Sequence, residues 1–401
     1  MYNVRKVTKD LYSVGENDRK LSLFENIHPI PEGISYNSYI LLDEKTVLLD
    51  TVDWSISKVF IENIQHVLGD RPLDYMVINH MEPDHAACID EVLVRYPEIK
   101  IIGNRTTFKF MKQFGFEVNK NAIEVNDGDS MSFGQHELVF ISAPMVHWPE
   151  TMATFDKTNG VLFSADAFGT FGSLDGKLFN DEMDFERDFL VPARRYYTNI
   201  VGKYGPQVQI LLKKASDLDI KYICPLHGPV WRNNIDYIID KYHKWSMYEP
   251  EEDGVLIVYG SMYGNTEAAA ENLASRLVEK GMTNVVMYDA AKTHVSYLIA
   301  DAFRFSHIVL ACATYNLRIY TPVENFILDM KGLNLQNRTV AVIENGTWAP
   351  RAGKLILEYL NGMKDMNIIE KDFLISSSMG EEDIDKMDLL TDKIIESMEW
   401  K

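Results

Sequence analysis

Tyr75-Met76-Val77-Ile78-Asn79-His80-Met81-Glu82-Pro83-Asp84-His85 runs from an apolar strand straight into four potential metal ligands within six residues. Pro83 stiffens the turn, and the alternation of residues lets several side chains converge on one point. Three more candidates stand just past apolar runs: His147 in Ala143-Pro144-Met145-Val146-His147-Trp148, Asp166 in Phe163-Ser164-Ala165-Asp166, and His227 in Cys224-Pro225-Leu226-His227-Gly228-Pro229. A polar group buried at a strand end needs a partner. Taken singly, each histidine reads as a hydrogen-bonded core or surface residue, and Asp166 as a helix cap or turn residue. Together, four imidazoles and three carboxylates suffice for two metal ions with an open position on each. A ligand set without thiolate suits iron, manganese or zinc.

Outward from this stretch, the first 250 residues mix short strands with helices. Tyr36 to Leu42 and Val47 to Asp50 read as a hairpin across Glu44-Lys45, followed by an amphipathic helix from Ser57 to Leu68. Then come a buried strand at Tyr75 to Asn79, a helix near Ile89 to Tyr96 and a strand at Lys100 to Ile102. Strands at Glu137 to Ile141, Met152 to Phe155 and Val161 to Phe163 precede a long helical stretch from about Arg194 to Ala215. This is an α/β region with much antiparallel sheet, not a βαβ repeat.

Tyr248-Glu249-Pro250-Glu251-Glu252-Asp253-Gly254 is acidic, carries Pro and Gly, and reads as a linker, giving domains at 1–250 and 254–401. Beyond it five strands (Val255 to Tyr259, Asn284 to Met287, His307 to Ala311, Thr339 to Ile343, Ile368 to Leu374) alternate with helices starting near Thr266, Val295, Val323, Ala352 and Glu382. That rhythm predicts a doubly wound five-stranded parallel sheet. Its first strand ends in Tyr259-Gly260-Ser261-Met262-Tyr263-Gly264-Asn265-Thr266, small and hydroxyl residues that suit a phosphate at a helix N-terminus, though plain turns use the same residues. In such a sheet the ligand crevice lies where the first, third and fourth strands end. The third ends in Thr314-Tyr315-Asn316-Leu317-Arg318 and the fourth in Asn345-Gly346-Thr347-Trp348-Ala349. An aromatic with small polar neighbours in both loops fits a flat flavin ring.

Composition narrows the class. The 401 residues carry 40 Lys plus Arg against 59 Asp plus Glu, a net charge of −19 that repels nucleic acid and anionic membrane surfaces. No apolar run reaches the roughly 18 to 20 residues of a membrane span, and the first residues lack a signal-peptide core, so a cytoplasmic protein is expected. Cys88, Cys224 and Cys312 form no Cys-x-x-Cys pair, which excludes a four-thiolate iron centre in cis.

The C-terminal part resembles flavodoxin from Val255 to Lys401, which implies FMN, with residues 261–266 on the phosphate and the 314–318 and 345–349 loops on the isoalloxazine. Tyr263 stands where many flavodoxins carry Thr. The N-terminal part resembles the metallo-β-lactamase fold, an αββα sandwich whose zinc hydrolases show His-x-His-x-Asp-His. Here the third position is Glu82, an added negative charge that favours iron cycling between two oxidation states over a fixed dizinc hydrolase. The whole chain is similar to the flavodiiron proteins. That resemblance implies His80, Glu82 and His147 on one iron, Asp84, His85 and His227 on the other, and Asp166 between them. Gly33-Ile34-Ser35-Tyr36-Asn37 resembles the family's Gly-Thr-Thr-Tyr-Asn with its first Thr replaced. Some members carry a His just before that glycine; this chain has Pro31 and Glu32, with His28 nearby.

The implied activity is reduction of O2 to water or of NO to N2O, through FMN, as an oxidoreductase. Reduced FMN and two ferrous ions together hold the four electrons that O2 needs. Tyr196 and Tyr197 are expected to hydrogen-bond a bound oxygen species, with at least one of them a packed aromatic instead. The resemblance further implies a head-to-tail homodimer or dimer of dimers, and rubredoxin or reduced coenzyme F420 as donor. The alternatives are a zinc hydrolase with an accessory flavodoxin domain, against which Glu82 argues, and an electron carrier with a vestigial metal site, against which the full ligand set argues.

Overall fold

The computed structural model describes residues 2–117 and 121–399. The chain divides into two compact units, Met1–His243 and Lys244–Lys401.

The first unit is an αββα sandwich. One sheet orders its strands Arg5–Lys6, Leu11–Ser13, Tyr39–Leu42, Thr46–Leu49, Tyr75–Val77, Lys100–Gly103 and Ala122–Glu124, antiparallel up to Thr46–Leu49 and parallel beyond it. The other orders Ser130–Ser132, Glu137–Ser142, Met152–Asp156, Val161–Phe163 and Tyr222–Cys224, with only the last pair parallel. Their inner faces interlock: Leu41, Leu49, Val77 and Ile102 from the first share a core with Leu138, Phe140, Phe163 and Cys224 from the second. Strand direction then places the site. Phe163 and Cys224 are paired in register, so Asp166 and His227, each three residues further on, leave the same sheet edge. His80 likewise stands three residues past the end of Tyr75–Val77.

Three expectations change. The strand expected over Tyr36 to Leu42 is two strands: Ile34–Tyr36 pairs with Glu16–Asp18, and Tyr39–Leu42 pairs with Thr46–Leu49. At the break the Asn37 N–H donates to the Leu226 carbonyl (2.7 Å) and Ser38 Oγ to Asp50 O (2.9 Å), pulling the chain off one ladder. The expected Tyr75 to Asn79 strand stops at Val77, because the Asn79 and His80 N–H groups go to the Asp50 carboxylate instead (2.7 and 3.2 Å). The Arg194 to Ala215 helix is broken: α-helix Leu190–Tyr196, a π turn Tyr197–Val201, a 3-10 turn Gly202–Tyr204, then α-helix Gly205–Ala215. Pro206 has no N–H to continue a helix but suits a first turn, so the helix restarts there.

The second unit carries the parallel sheet in the order Val285–Asp289, Glu252–Gly260, Phe305–Tyr315, Arg338–Asn345, Met366–Ile375, with the short Arg318–Ile319 strand antiparallel to the third. The central strands Val255 to Val258 and Ile308 to Cys312 are buried throughout, as a sheet covered by helices on both faces requires. The segment expected as linker is partly strand, since Glu252 pairs with Phe305 ahead of a register shift. Arg338 is buried, and its guanidinium donates to the carbonyls of Tyr248, Ala302 and Phe303 (2.7, 2.8 and 2.7 Å), tying residue 248 to the end of helix Val295–Arg304. Burial holds that guanidinium well below its ordinary value, at about 9. Among the described residues no helix is long and apolar enough to cross a membrane.

Candidate metal centre and flavin cleft

All seven expected donors come together. His80, Glu82, His147 and Asp166 each offer an atom within 4.8 Å of the others, and so do Asp84, His85 and His227. Asp166 joins the two groups. Its Oδ2 lies 3.1 Å from His80 Nε2 and 3.2 Å from His147 Nε2, while Oδ1 lies 3.3 Å from His85 Nε2 and 3.6 Å from His227 Nε2. Glu82 Oε2 closes the first group on His80 and His147 (3.2 and 3.0 Å); Asp84 Oδ2 closes the second on His85 and His227 (3.3 Å each).

Local structure aims these groups. Pro83 opens a short helix, Pro83–Ala86, that carries Asp84 and His85, with Glu82 extended just before it. Thr51 Oγ1 donates to the His85 carbonyl at 2.7 Å, which holds the helix against the first sheet. The Gly33 to Asn37 segment cradles the loop of His227: Ser35 O accepts from His227 Nδ1 (2.8 Å), Ser35 Oγ from Gly228 N–H (2.7 Å), and Asn37 Nδ2 donates to Pro225 and Gly228 carbonyls (2.9 and 2.8 Å). Gly228 has φ +80°, and a Cβ there would strike Thr170 Cγ2, so the loop requires glycine.

The electrostatics call for cations. Burial alone would depress His80, yet Asp166, Glu150 and Glu82 outweigh it and raise its pKa. Burial likewise opposes, and the Asp166 and Glu82 carboxylates drive, the rise of His147 to about 9. Despite burial, the surrounding imidazoles hold Asp166 far below the ordinary carboxylate range. Both oxygens of Asp84 and of Asp166 are buried and accept no hydrogen bond. Ionised carboxylates in that state cost several kcal/mol unless a cation sits against them. Hard oxygen and imidazole nitrogen donors in two groups sharing one carboxylate fit a pair of iron ions.

Around the donors stands an aromatic wall. Tyr196, Phe24 and Tyr36 place their rings 5.4, 5.4 and 5.6 Å from that of His227, and Trp148 lies 5.4 Å from His80. Tyr196 Oη is buried without a hydrogen bond, whereas Tyr197 packs on Tyr242 at 4.9 Å. His28 sits against Phe171 (6.1 Å) with its Nε2 3.8 Å from Glu25 Oε2, in the hairpin of strands Leu23–Phe24 and His28–Pro29. Four contributors escaped the sequence reading. Glu150 bonds His80 Nδ1 at 2.7 Å, and Ser35, in a segment noted only as a motif, meets His227 through its carbonyl and the Gly228 N–H through its Oγ. Asp50 anchors Asn79 and His80 with its carboxyl pushed up to about 6 by burial. Glu25 is raised to about 8 by burial and by Glu82. Glu150 alone had a local signal, a carboxylate three residues past His147.

In the second unit a cavity of about 310 Å³ opens where strands one, three and four end. It is lined by Ser261, Met262, Tyr263, Asn265 and Thr266 from the first loop, by Thr314, Tyr315, Asn316 and Leu317 from the second, and by Asn345, Gly346, Thr347 and Trp348 from the third. Ala313 and Ser377 join them unannounced. Gly264, Arg318 and Ala349 do not line it: Gly264 gives its N–H to Ser261 Oγ (3.0 Å) ahead of helix Asn265–Glu279, and Arg318 pairs with Glu324 (3.1 Å). Thr314 Oγ1 is already engaged, donating to Glu344 and accepting from the Arg351 and Ala352 N–H groups at the start of helix Ala352–Leu360. Asn316 and Leu317, with φ +50° and +60°, form the two-residue turn that presents the second loop. In a chain of net charge −19, a lining without one charged side chain, ending on a helix N-terminus, fits a phosphate ester carrying a flat ring.

A sandwich holding a two-metal His/Asp/Glu cluster, followed by a doubly wound sheet with a flavin cleft, defines a redox protein built from a metallo-β-lactamase-like domain and a flavodoxin. Residues 34–228 match the ODP family of beta-lactamase-like domains, and residues 257–355 match flavodoxin. The anaerobic nitric oxide reductase flavorubredoxin of Escherichia coli is 30% identical over 350 residues, 86% of this chain and 72% of that one. An uncharacterized protein of Methanocaldococcus jannaschii is 30% identical over 90% of both chains. The rubredoxin oxygen:oxidoreductase of Desulfovibrio gigas superposes with a TM-score of 0.90 at 25% identity, over 99% of this chain and 98% of that one. The chain belongs to the flavodiiron protein family. It is an oxidoreductase whose cofactors are FMN and a non-haem diiron centre.

Proposed function

We propose that this protein reduces dioxygen to water, nitric oxide to nitrous oxide, or both, at the His/Asp/Glu cluster, with electrons arriving through FMN. The observation that carries the reading is the division of Asp166, one oxygen toward His80 and His147 and the other toward His85 and His227. Two adjoining cation seats with a shared bridge suit a diatomic substrate. When bound, the iron pair supplies one-electron redox changes and open coordination positions, and FMN passes electrons singly or in pairs.

The chain's own residues hold and shield this site. His80, Glu82 and His147 would hold one iron and Asp84, His85 and His227 the other, with Asp166 between the two groups. Phe24, Phe171 and Trp148 exclude water from the imidazoles. Tyr196 keeps its proton on Oη, because burial and then Asp166 push its pKa far up, and that O–H, beside the His227 ring, would be the hydrogen-bond donor offered to the gas substrate. In the flavin cleft Ser261, Met262, Tyr263, Asn265 and Thr266 take the phosphate, and Tyr315 and Trp348 flank the ring. No Cys-x-x-Cys pair stands in these 401 residues, and the proposed donor is rubredoxin or reduced coenzyme F420; the name of the Desulfovibrio gigas neighbour favours rubredoxin. A head-to-tail homodimer, or a dimer of such dimers, lets FMN of one chain serve the iron pair of another.

The test is metal and flavin analysis followed by anaerobic stopped-flow mixing of reduced protein with each gas. About two irons and about one FMN per chain are expected, with reoxidation by at least one gas faster than that of free FMN. Zinc in place of iron, or flavin reoxidised no faster than free FMN, overturns the reading.

A further inference from the structure

The two halves of the metal cluster carry matching donors: His80, His147 and Glu82 on one side, His85, His227 and Asp84 on the other, with one oxygen of Asp166 toward each. Charge in contact with the metals therefore does not distinguish them. What stands behind the imidazoles does. His80 Nδ1 lies 2.7 Å from Glu150 Oε1, and because Nε2 faces the metal seat beside Glu82 and Asp166, Nδ1 is the ring nitrogen that carries the proton and donates. The Glu150 side chain is wholly buried; Oε1 also accepts from Met81 N–H at 2.9 Å, and Oε2 accepts no hydrogen bond. In the other half His227 Nδ1 donates to a neutral carbonyl, Ser35 O at 2.8 Å, and His85 Nδ1 is buried without a hydrogen bond.

This difference is built in. The Glu150 carbonyl accepts from Asn104 Nδ2 at 2.5 Å, and the same Asn104 side chain caps helix Arg105–Gln113 through the Thr106 and Thr107 N–H groups. A helix terminus thus fixes the loop that carries the carboxylate. A carboxylate on the outer nitrogen of an imidazole draws its proton and strengthens the inner nitrogen as a donor; a neutral carbonyl does so less, and no partner not at all. The carboxylate also sets a full negative charge in a dry interior, where it favours the more highly charged metal ion.

We propose that Glu150 is a positioning residue that makes the two irons unequal: the half built on His80, Glu82 and His147 binds its iron more tightly and gives up an electron first. The step is a ferrous-to-ferric change of one electron, delivered to the gas substrate or to the oxidant of a titration, with no bond made or broken in the protein. The inference rests on the ligand assignment proposed above.

The experiment uses the full-length, iron- and FMN-loaded protein and its Glu150→Gln variant, which keeps shape and an acceptor oxygen but removes the charge. Iron release to a ferrous chelator without oxygen should be biphasic in the parent protein, and Glu150→Gln should speed only the slow phase, about tenfold. In a redox titration followed by electron paramagnetic resonance, the first iron oxidised should move to higher potential while the flavin couple stays. Should Glu150→Gln fail to fold, Asn104→Ser, which keeps a capping oxygen but loses the amide donor to Glu150, should quicken the same phase. An unchanged slow phase and potential, or equal acceleration of both phases, overturns the proposal. A parent protein with fewer than two irons bound would instead overturn the ligand assignment.

Discussion

The metal cluster and the flavin cleft sit at strand ends in their own units, yet their working atoms differ. In the cluster they are ionisable side chains out of water, with His80 and His227 at 0% exposure and Asp166 at 1%. In the cleft they are loop backbone, hydroxyls, amides and aromatic rings, with Tyr263 at 93% and Trp348 at 71% exposure. A metal pair demands opposite charge at fixed distances, so the cluster needs donors held from several elements and tolerates no loss among them. A phosphate ester bound by helix N–H groups and a stacked ring spreads its contacts, so single cleft residues matter less.

That contrast is sharpest at Asp166. Asp166→Asn removes the charge facing four imidazoles and should lower turnover by more than the roughly 10- to 100-fold typical of residues behind the ligands, with iron content falling and FMN content intact. Iron retained at the parental level would break the comparison. Trp348→Ala should weaken FMN by about fivefold, the loss of one aromatic contact worth about 1 kcal/mol, and leave iron unchanged. Titration of flavin fluorescence reads this, and FMN lost altogether would mean that the cleft is no more tolerant than the cluster.

The smallest effect lies away from both sites, at His136. Its ring sits between Asp156 (Nδ1, 2.9 Å) and Asp10 (Nε2, 3.1 Å), and the Asp156 hydrogen bond, against burial, raises its pKa. A histidine raised above its unfolded value near 6.5 contributes its full stability below about pH 6.5 and loses it as pH climbs through the folded value. Thermal melts of His136→Gln should therefore decline less steeply than the parent's above about pH 6.5, with both cofactors retained. An equal slope would show that the two aspartates add nothing at this position.

The second unit was legible almost strand by strand, because its central parallel strands are continuous apolar runs and amphipathic helices alternate with the strands. The first unit was legible in class but less so in detail. Tyr36 to Leu42 looks like one strand, and only the contacts of Asn37 and Ser38 with residues far along the chain split it. Arg194 to Ala215 keeps helical periodicity through Gly202 and Gly205-Pro206, where the backbone changes helix type. In the flavin cleft the loops were found but Gly264, Arg318 and Ala349 do not line it, since a motif marks a loop and not which of its residues face the cavity.

The sequence by itself determined the kinds of donor, their order and their place just past apolar strands, because strand periodicity and the chemistry of His, Asp and Glu are local properties. It likewise showed that no Cys-x-x-Cys pair stands in these 401 residues and that the first strand of the second unit runs into a turn of small and hydroxyl residues. Only the tertiary structure decided which donors share a seat, that Asp166 faces both groups, and that Tyr196 rather than Tyr197 lies against a ligand imidazole. It alone brought Glu150 behind His80, 70 residues away, and Ser35 behind His227, 192 residues away. Such pairings depend on which strands lie side by side and which edge they leave. Strand order is set by the packing of the whole sheet, and no local pattern records it.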